Sequence, residues 1–421
     1  MRLKAEDPTL RADAGPLSVI IINDFASVAG GTDAVALAEA AGLARLGHRV
    51  SLVVGQGEPD PELLEAGVII RKTGQQTTMG DLNRLRAAAR GIWNQASANL
   101  VRDLAAEADR RSTVVHVHGF TKILSASVIR AAVTSGIPTL ATLHEYFAAC
   151  PNGGFFNYQT NEICRLTPLS ARCIATDCDA RAYSHKLWRV GRSAVQHRLG
   201  AMPAGIRHFI VPSSFAADIL QPFLPVEARL HIVPNPIPGP RMPAAAVANN
   251  SAFVFAGRLQ REKGCVLFAQ AARKAHVPAV FVGAGEEADA IRRAYPEAEV
   301  TGWLSSQSVR SSVRKARAVV SPSLWYEVQP LFPLEAAADG VPAIVADTSA
   351  AREEVADEVT GLWFRRGDVD DLAEKLATLQ RDPQLATRLG SAAYARFWSD
   401  TWDTPAHLER LEYVYHAALA P

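Results

Sequence analysis

One pattern constrains this chain more than any other, and it runs twice. The apolar run LSVIIIND at 17–24 has no polar alternation and leads into the glycine turn FASVAGGTD. A run of that kind is buried on both faces and predicts a parallel strand. An Ala/Leu-rich helical stretch follows at 34–46, then a second strand in GHRVSLVVG at 47–55. Strand, glycine turn, helix, strand is the unit of a doubly wound α/β sheet. Further strands are predicted at 113–118, 138–143 and 207–212. The pattern halts in PNPIPGPRMPAAAVANN at 234–250, whose Pro, Ala and Asn content suits a connector. It then restarts, with strands predicted at 252–256, 278–282, 298–300, 317–321 and 342–346.

The expected organisation is therefore a tail at 1–16, an α/β domain at 17–238, a linker at 239–250 and a second α/β domain at 251–395. A final helical segment at 396–421 has no strand after it and is expected to dock back on the first domain. With 421 residues the chain is too long for one ordinary core. Ligands of open α/β sheets bind beyond the carboxyl ends of the strands, so two such domains imply one large cleft.

Composition narrows the function classes. Net charge is +1, so nothing global points to nucleic acid. No apolar run reaches the length of a membrane span. The charged, Pro-containing start lacks the apolar stretch of a signal peptide, and five cysteines are an odd number for a disulfide framework. A reducing cytoplasm is the expected compartment.

The second half carries the chemistry. In VFAGRLQREKG at 254–264 a strand ends at Gly257, and Arg258 and Lys263 flank the turn before a helix expected to begin near Cys265. Two cations at a helix N-terminus make an anion site; the alternative is two solvated surface cations. Arg grips phosphate in bidentate fashion, whereas Lys acts as a point charge. VGAGEEADAI at 282–291 has a second glycine turn, for which turn geometry alone is the commoner cause. VTGWLSSQSV at 300–309 places Trp303 and Leu304 at a strand end, where backbone groups read a base edge. In WYEVQPLFPLEAAADG at 325–340, Pro330 and Pro333 suit the start of a short buried helix and Gly340 its end. Glu335 then sits early on that helix and Glu327 just before it.

Together, AGRLQREKG, VGAGE, TGWLS, SPSLWYEVQPLFPLEAAADGVPAIVAD and GLWFRRGDVDDLAEKL resemble, in order and spacing, the retaining glycosyltransferases of group 1, which have the GT-B fold. AGGTDAVALAEAAGLARLGHRVSLVV, HVHG, ATLHEY, VPSSFAADIL and VPNPI extend a looser resemblance through the first half. The resemblance implies that Arg258 and Lys263 hold the donor diphosphate and stabilise the leaving group. It implies that Glu335 binds the ribose hydroxyls, with Gly257, Trp303 and Leu304 in the same donor site. Glu327 stands near the transferred sugar, and the backbone of Val328, Gln329, Pro330 and Leu331 touches sugar and phosphate. Gly30 and Gly31 form the loop closing on the donor, which is a UDP- or GDP-linked sugar. His144 matches the family's active-site histidine, and His118 is a second candidate. Transfer is to a glycan or lipid-linked acceptor and needs no bound metal or other cofactor. Two departures stand out: Val328 and Gln329 replace glycines after the first glutamate, and DTSAAREE replaces the usual glycine pair. A sugar-nucleotide epimerase of the same fold and a non-enzymatic sugar-nucleotide-binding protein are the rival readings. A NAD-linked oxidoreductase is disfavoured, because GAGEEA is an imperfect fingerprint without its ribose-binding acid.

The least ordinary stretch is HEYFAACPNGGFFNYQTNEICRLTPLSARCIATDCDARAYSHKLW, holding Cys150, Cys164, Cys173 and Cys178. Four thiolates suit a structural zinc, although tight CxxC pairs are missing. The alternative is four small side chains pinning a long loop. The similarity of HEYF…CPNGGFFNY to bacterial polysaccharide glycosyltransferases points to glycan assembly. Arg165, Arg172, Arg181, Lys186, Arg189, Arg192, Arg198 and Arg207 follow, interleaved with apolar residues. Such a face suits anionic lipid on the inner side of a membrane, or else packs on the domain as an ordinary helix.

Overall fold

The structure is a computed structural model and describes residues 15–400 and 402–420; the tail expected at 1–16 lies almost wholly outside them. In chain order the strands are β1 (Ser18–Ile22), β2 (Arg49–Val54), β3 (Ile69–Lys72), β4 (Thr113–Val117) and β5 (Thr139–Thr142). A small hairpin follows, β6 (Phe156–Asn157) and β7 (Glu162–Ile163), then β8 (His208–Val211) and β9 (Arg229–Ile232). The second half holds β10 (Ala252–Ala256), β11 (Ala279–Val282), β12 (Glu299–Gly302), β13 (Ala316–Ser321), β14 (Ala343–Ala346) and β15 (Gly361–Phe364).

Two parallel sheets result, ordered β3-β2-β1-β4-β5-β8-β9 and β12-β11-β10-β13-β14-β15. The apolar runs read from the sequence are their buried central strands. β1 pairs in parallel with both β2 and β4, as β10 does with β11 and β13. β3, β9 and β15 fall outside the sequence expectation, and each is a sheet edge. An edge strand needs no unbroken apolar run: β3 reads IIRK and β9 RLHI, neither with a fully buried residue.

The helix Pro383–Ser399 runs past the expected boundary at 395 and packs on the second domain. The chain then crosses back. Ile237 N–H, from the outgoing connector, donates to the Trp402 carbonyl of the returning one at 2.9 Å. The last helix, Thr404–Leu419, lies on the first-domain helix Gly31–Arg45 and on β4. Gly42 makes that approach possible, since a Cβ there would stand 2.5 Å from Leu408 Cδ1.

The glycines of VGAG have a structural cause. A Cβ on Gly283 would lie 1.9 Å from the Gly257 carbonyl oxygen, and one on Gly285 2.2 Å from that of Leu259. The turns after β10 and β11 are thus stacked backbone on backbone. Gly283 also has φ +147°, which alone costs an alanine about 1–3 kcal/mol of strain. Gly283→Ala is expected to exceed that range because of the clash. Urea unfolding would register it as a lower midpoint at unchanged slope.

Candidate functional site

The carboxyl ends of both sheets face one cleft with an empty volume of about 650 Å³. Its walls bring together Gly31, His144, Arg258, Lys263, Glu327, Val328, Gln329 and Leu331, eight residues singled out from the sequence. The first domain supplies Gly31 and His144, and the second supplies the rest.

The cationic wall follows from local structure. After β10 the chain makes one tight turn, Arg261–Lys263, and enters the helix Cys265–Ala275 with Gly264 at its N-cap. Only glycine fits there: φ is +70° and a Cβ would meet the Pro322 carbonyl oxygen at 2.0 Å. Arg258 is exposed on the cleft wall. Lys263 Nζ lies 2.6 Å from Glu327 Oε1 and 5.5 Å from the centre of the Trp325 ring. Glu327 also accepts from Ser323 Oγ, at 2.5 Å, and from Trp325 Nε1, at 3.3 Å. Burial would raise its carboxyl, but Lys263 and these donors hold it below the ordinary value. The arrangement differs from the sequence expectation in one respect: Lys263 and Glu327 are engaged with each other.

Pro330 caps the helix Leu331–Ala338 and Pro333 falls in its first turn. The N-cap offers no side-chain hydrogen bond, so the leading N–H groups of Leu331 and Phe332 stay available beside the cations. Glu335 sits early on this helix as expected and is exposed, without a hydrogen-bonding partner among the described residues. The surrounding mass of protein still raises its carboxyl above the ordinary value. Trp303 and Leu304 stand exposed beyond β12, 67% and 38% accessible. Gly30 is extended, and Gly31 opens the first helix at the cleft edge.

The residues that replace the family's glycines bind the domains together. Gln329 Oε1 accepts from Asn235 N–H at 2.8 Å, and its Nε2 donates to Glu354 at 2.8 Å. The Val328 carbonyl accepts from Ser213 Oγ. Glu353 accepts from Ser214 N–H and Phe215 N–H at the start of a first-domain helix.

Behind the opposite wall lies a network that sequence reasoning missed. His118 Nδ1 is 2.9 Å from His144 Nε2, and His118 Nε2 is 3.2 Å from Glu39 Oε2. Glu39 Oε1 is 3.0 Å from His407 Nε2, while His407 Nδ1 faces the Pro234 carbonyl at 2.7 Å. A carbonyl only accepts, so His407 Nδ1 carries a hydrogen. His116 closes the group, 2.8 Å from the Tyr415 hydroxyl and 2.7 Å from that of Thr142. The carboxylate favours the Nε2–H form of His118, leaving Nδ1 to accept from His144 Nε2–H. Burial, with His118 adding to it, lowers His144 to about 3, so it is neutral at pH 7. Glu39, His116 and His118 form the only three-ligand constellation within a metal's reach among the described residues. Their ring nitrogens already face protein partners, so the group reads as a hydrogen-bond network. The available signal was the HxH spacing, which puts both rings on one face of a strand, together with a lone carboxylate in the Ala-rich stretch AVALAEAAGLA.

A second hollow of about 500 Å³ adjoins the cleft on the first-domain side and shares Thr32, His144 and Glu145 with it. Of the basic residues expected to face lipid, Arg165, Arg172, Arg181, Arg198 and Arg207 are exposed, whereas three on the helix Tyr183–Arg198 are turned inward. Lys186 and Arg192 are buried, Arg189 pairs with Asp179, and Arg192 stacks on Phe147 and Trp188. Among the described residues no helix is long and apolar enough to cross a membrane. The four cysteines line a single cavity, with no disulfide between them.

Two parallel-sheet α/β domains set a cationic wall opposite a histidine across one cleft. Comparison with known proteins agrees. Residues 244–396 match the family described as glycosyl transferases group 1, and residues 29–238 match glycosyltransferase family 4. The chain belongs to the group 1 glycosyltransferases. Glycogen synthase of Mycobacterium tuberculosis is 30% identical over 209 residues, which is 46% of this chain and 50% of that protein. The chain thus spans about half the length of the curated relatives it matches. Sucrose-phosphate synthase from Thermosynechococcus elongatus superposes with a TM-score of 0.69 at 16% identity, covering 95% of this chain and 98% of that one. Anabaena HepE in complex with UDP and glucose gives 0.63 at 16% identity, over 94% and 98%. At these identities the likeness is one of fold, and the fold is GT-B.

Proposed function

We propose that this cleft moves a hexose from a UDP-linked donor to a glycan acceptor in polysaccharide assembly, with retention of anomeric configuration. The observation that carries the reading is the meeting of two hollows at His144 and Glu145, one walled by Arg258 and Lys263 and one by the first domain alone. The first has the charge for a diphosphate and the second the room for an acceptor. An epimerase has no use for the second. UDP and UDP-glucose are bound by a solved protein of this fold, which supports a uridine donor.

In this reading the bond between the anomeric carbon and the diphosphate oxygen breaks and negative charge collects on the phosphate, while an acceptor hydroxyl oxygen bonds to that carbon and its proton passes to the departing phosphate. Arg258, Lys263 and the N-terminus of the helix Leu331–Ala338 stabilise that charge as it forms, without a metal ion. The Lys263 ammonium has three hydrogens, enough to keep Glu327 while turning another to the diphosphate. Neutral His144 bonds a sugar hydroxyl and takes no part as an acid. Glu335 accepts from the ribose hydroxyls.

A thermal-shift screen of UDP, GDP, ADP, their sugars and NAD tests this. UDP at about 100 times its Kd is expected to add about 2.7 kcal/mol, and Arg258→Ala and Glu335→Ala to abolish the shift. Stabilisation by NAD alone, or interconversion of UDP-sugars with no acceptor present, would sink the proposal.

A further inference from the structure

The first sheet has a hollow at its other end, away from the cleft. It lies against the amino ends of β5, β8 and β9 and has an empty volume of about 1470 Å³. The cleft is at the carboxyl ends of the sheet, so the two sites share no residue. Arg207, His208, Glu227 and Arg229 line this hollow. Gly136, Gly205 and the alanines at the end of the helix Thr404–Leu419 form much of the remaining wall, and their small size keeps it open.

Its charge is one-sided. Arg207 and Arg229 are exposed, and neither guanidinium has an ion pair or hydrogen bond among the described residues. Arg110 Nη1 stands over Gly136 at the rim, 3.6 Å from where a Cβ would lie, and is equally unpaired. Glu227 is the only carboxylate on the wall among the described residues. Three guanidiniums against one carboxylate leave the hollow cationic.

Exposed arginines are served by water; His208 is a different case. It is 9% exposed, and its Nδ1 is 3.0 Å from His231 Nε2, the two rings stacked. Its Nε2 has no partner among the described residues. Burial, with Arg229 and Arg207 adding to it, lowers its pKa, so the ring is neutral at pH 7. With hydrogen on Nε2 of each ring, His231 donates to His208 Nδ1, and His208 Nε2–H is left to donate into the hollow. Buried polar groups are as a rule hydrogen-bonded. This one, beside two free guanidiniums, lacks an acceptor.

We propose that the hollow binds a phosphate monoester, held by Arg207 and Arg229 with His208 Nε2–H donating to it. The guanidinium fork matches phosphate oxygens in pairs. A monoester has three free oxygens for these donors, whereas a diester has one fewer. The hollow is far larger than a bare phosphate, so it has room for the sugar or lipid that carries the group.

Equilibrium dialysis of the full chain against radiolabelled inorganic phosphate tests this, with Arg258→Ala as the background to weaken phosphate binding in the cleft. Phosphate is expected to stay on Arg258→Ala. Adding Arg207→Ala or Arg229→Ala, both at exposed positions, should weaken its retention by about 10–100-fold, the effect of losing a charge-assisted hydrogen bond. Adding Glu227→Gln should tighten it by removing the like charge. The UDP-induced thermal shift of chains with Arg258 intact reports separately on the donor cleft and should not move in these variants. Flotation with phosphatidylcholine vesicles containing phosphatidic acid, lost in Arg207→Ala/Arg229→Ala, would place the phosphate on a lipid; retention of free phosphate without flotation would place it on a soluble ester. No phosphate on Arg258→Ala, or equal retention when Arg207 and Arg229 are both replaced, would overturn the site.

Discussion

Lys263→Ala is expected to lower the rate of UDP release from a UDP-hexose by about 10²–10³-fold, the usual effect of deleting one preorganised group aimed at developing charge. The loss should fall on kcat more than on KM, because the charge met by the ammonium grows as the bond to phosphate breaks. A complication is built into the site. Lys263 is the strongest influence opposing the burial of Glu327, at 2.6 Å, and Glu327 is only 6% exposed. Removing the cation strands a buried carboxylate, so the variant should also be less stable. The double variant Lys263→Ala/Glu327→Gln separates the two effects. It relieves the stranded charge while leaving the leaving group without its cation, so stability should recover and kcat should not. Recovery of kcat in the double variant would mean that Lys263 acts only through Glu327.

How far the sequence reaches into this site depends on where each side chain finds its partner. Arg258, Lys263 and Glu327 were legible because the elements that position them are local: a strand end, one turn, a helix start. The central strands were legible for the same kind of reason, since burial on both faces writes an unbroken apolar run. Edge strands β3 and β9 have one side free and left no such mark. Gly283 looked like one more turn glycine. Its cause, the carbonyl of Gly257, belongs to another turn 26 residues earlier, and only the stacking of the two turns reveals it. The place of Glu335 early on its helix was legible from the two prolines, but that this apolar helix turns it outward was not. Lys186, Arg189 and Arg192 looked like a solvated basic face because their partners, cysteine sulfurs, Asp179 and two aromatic rings, are set by the packing of the insert. The Glu39 network was the least legible. It joins the first helix, two strands and the last helix, and Glu39 and His407 are 368 residues apart.

That network yields the second large effect. Glu39→Gln keeps the shape of the side chain and removes its charge, and is expected to cost about 1–3 kcal/mol, the range for leaving buried hydrogen-bonding partners unsatisfied. Glu39 is 1% exposed and faces His116, His118 and His407. Burial alone would raise its carboxyl, but these imidazoles bring it well below the ordinary value. The sign of the pH dependence follows. A carboxyl whose pKa is lower folded than unfolded stabilises fully above the unfolded value, about 4.3, and loses that contribution as pH falls through the folded value. The stability gap between wild type and Glu39→Gln should therefore be constant from pH 7 to about 5 and close below about 4. Urea titrations across that range measure it. The variant also loses the carboxylate that keeps hydrogen on His118 Nε2. His118 is then free to turn its hydrogen toward His144, and the His144 ring loses its orientation at the cleft. Turnover should fall even at pH 7 and at temperatures where the variant stays folded, while UDP binding, which rests on the other domain, persists. A gap unchanged down to pH 3.5, or full turnover in the folded variant, would show that Glu39 only fills space beneath the last helix.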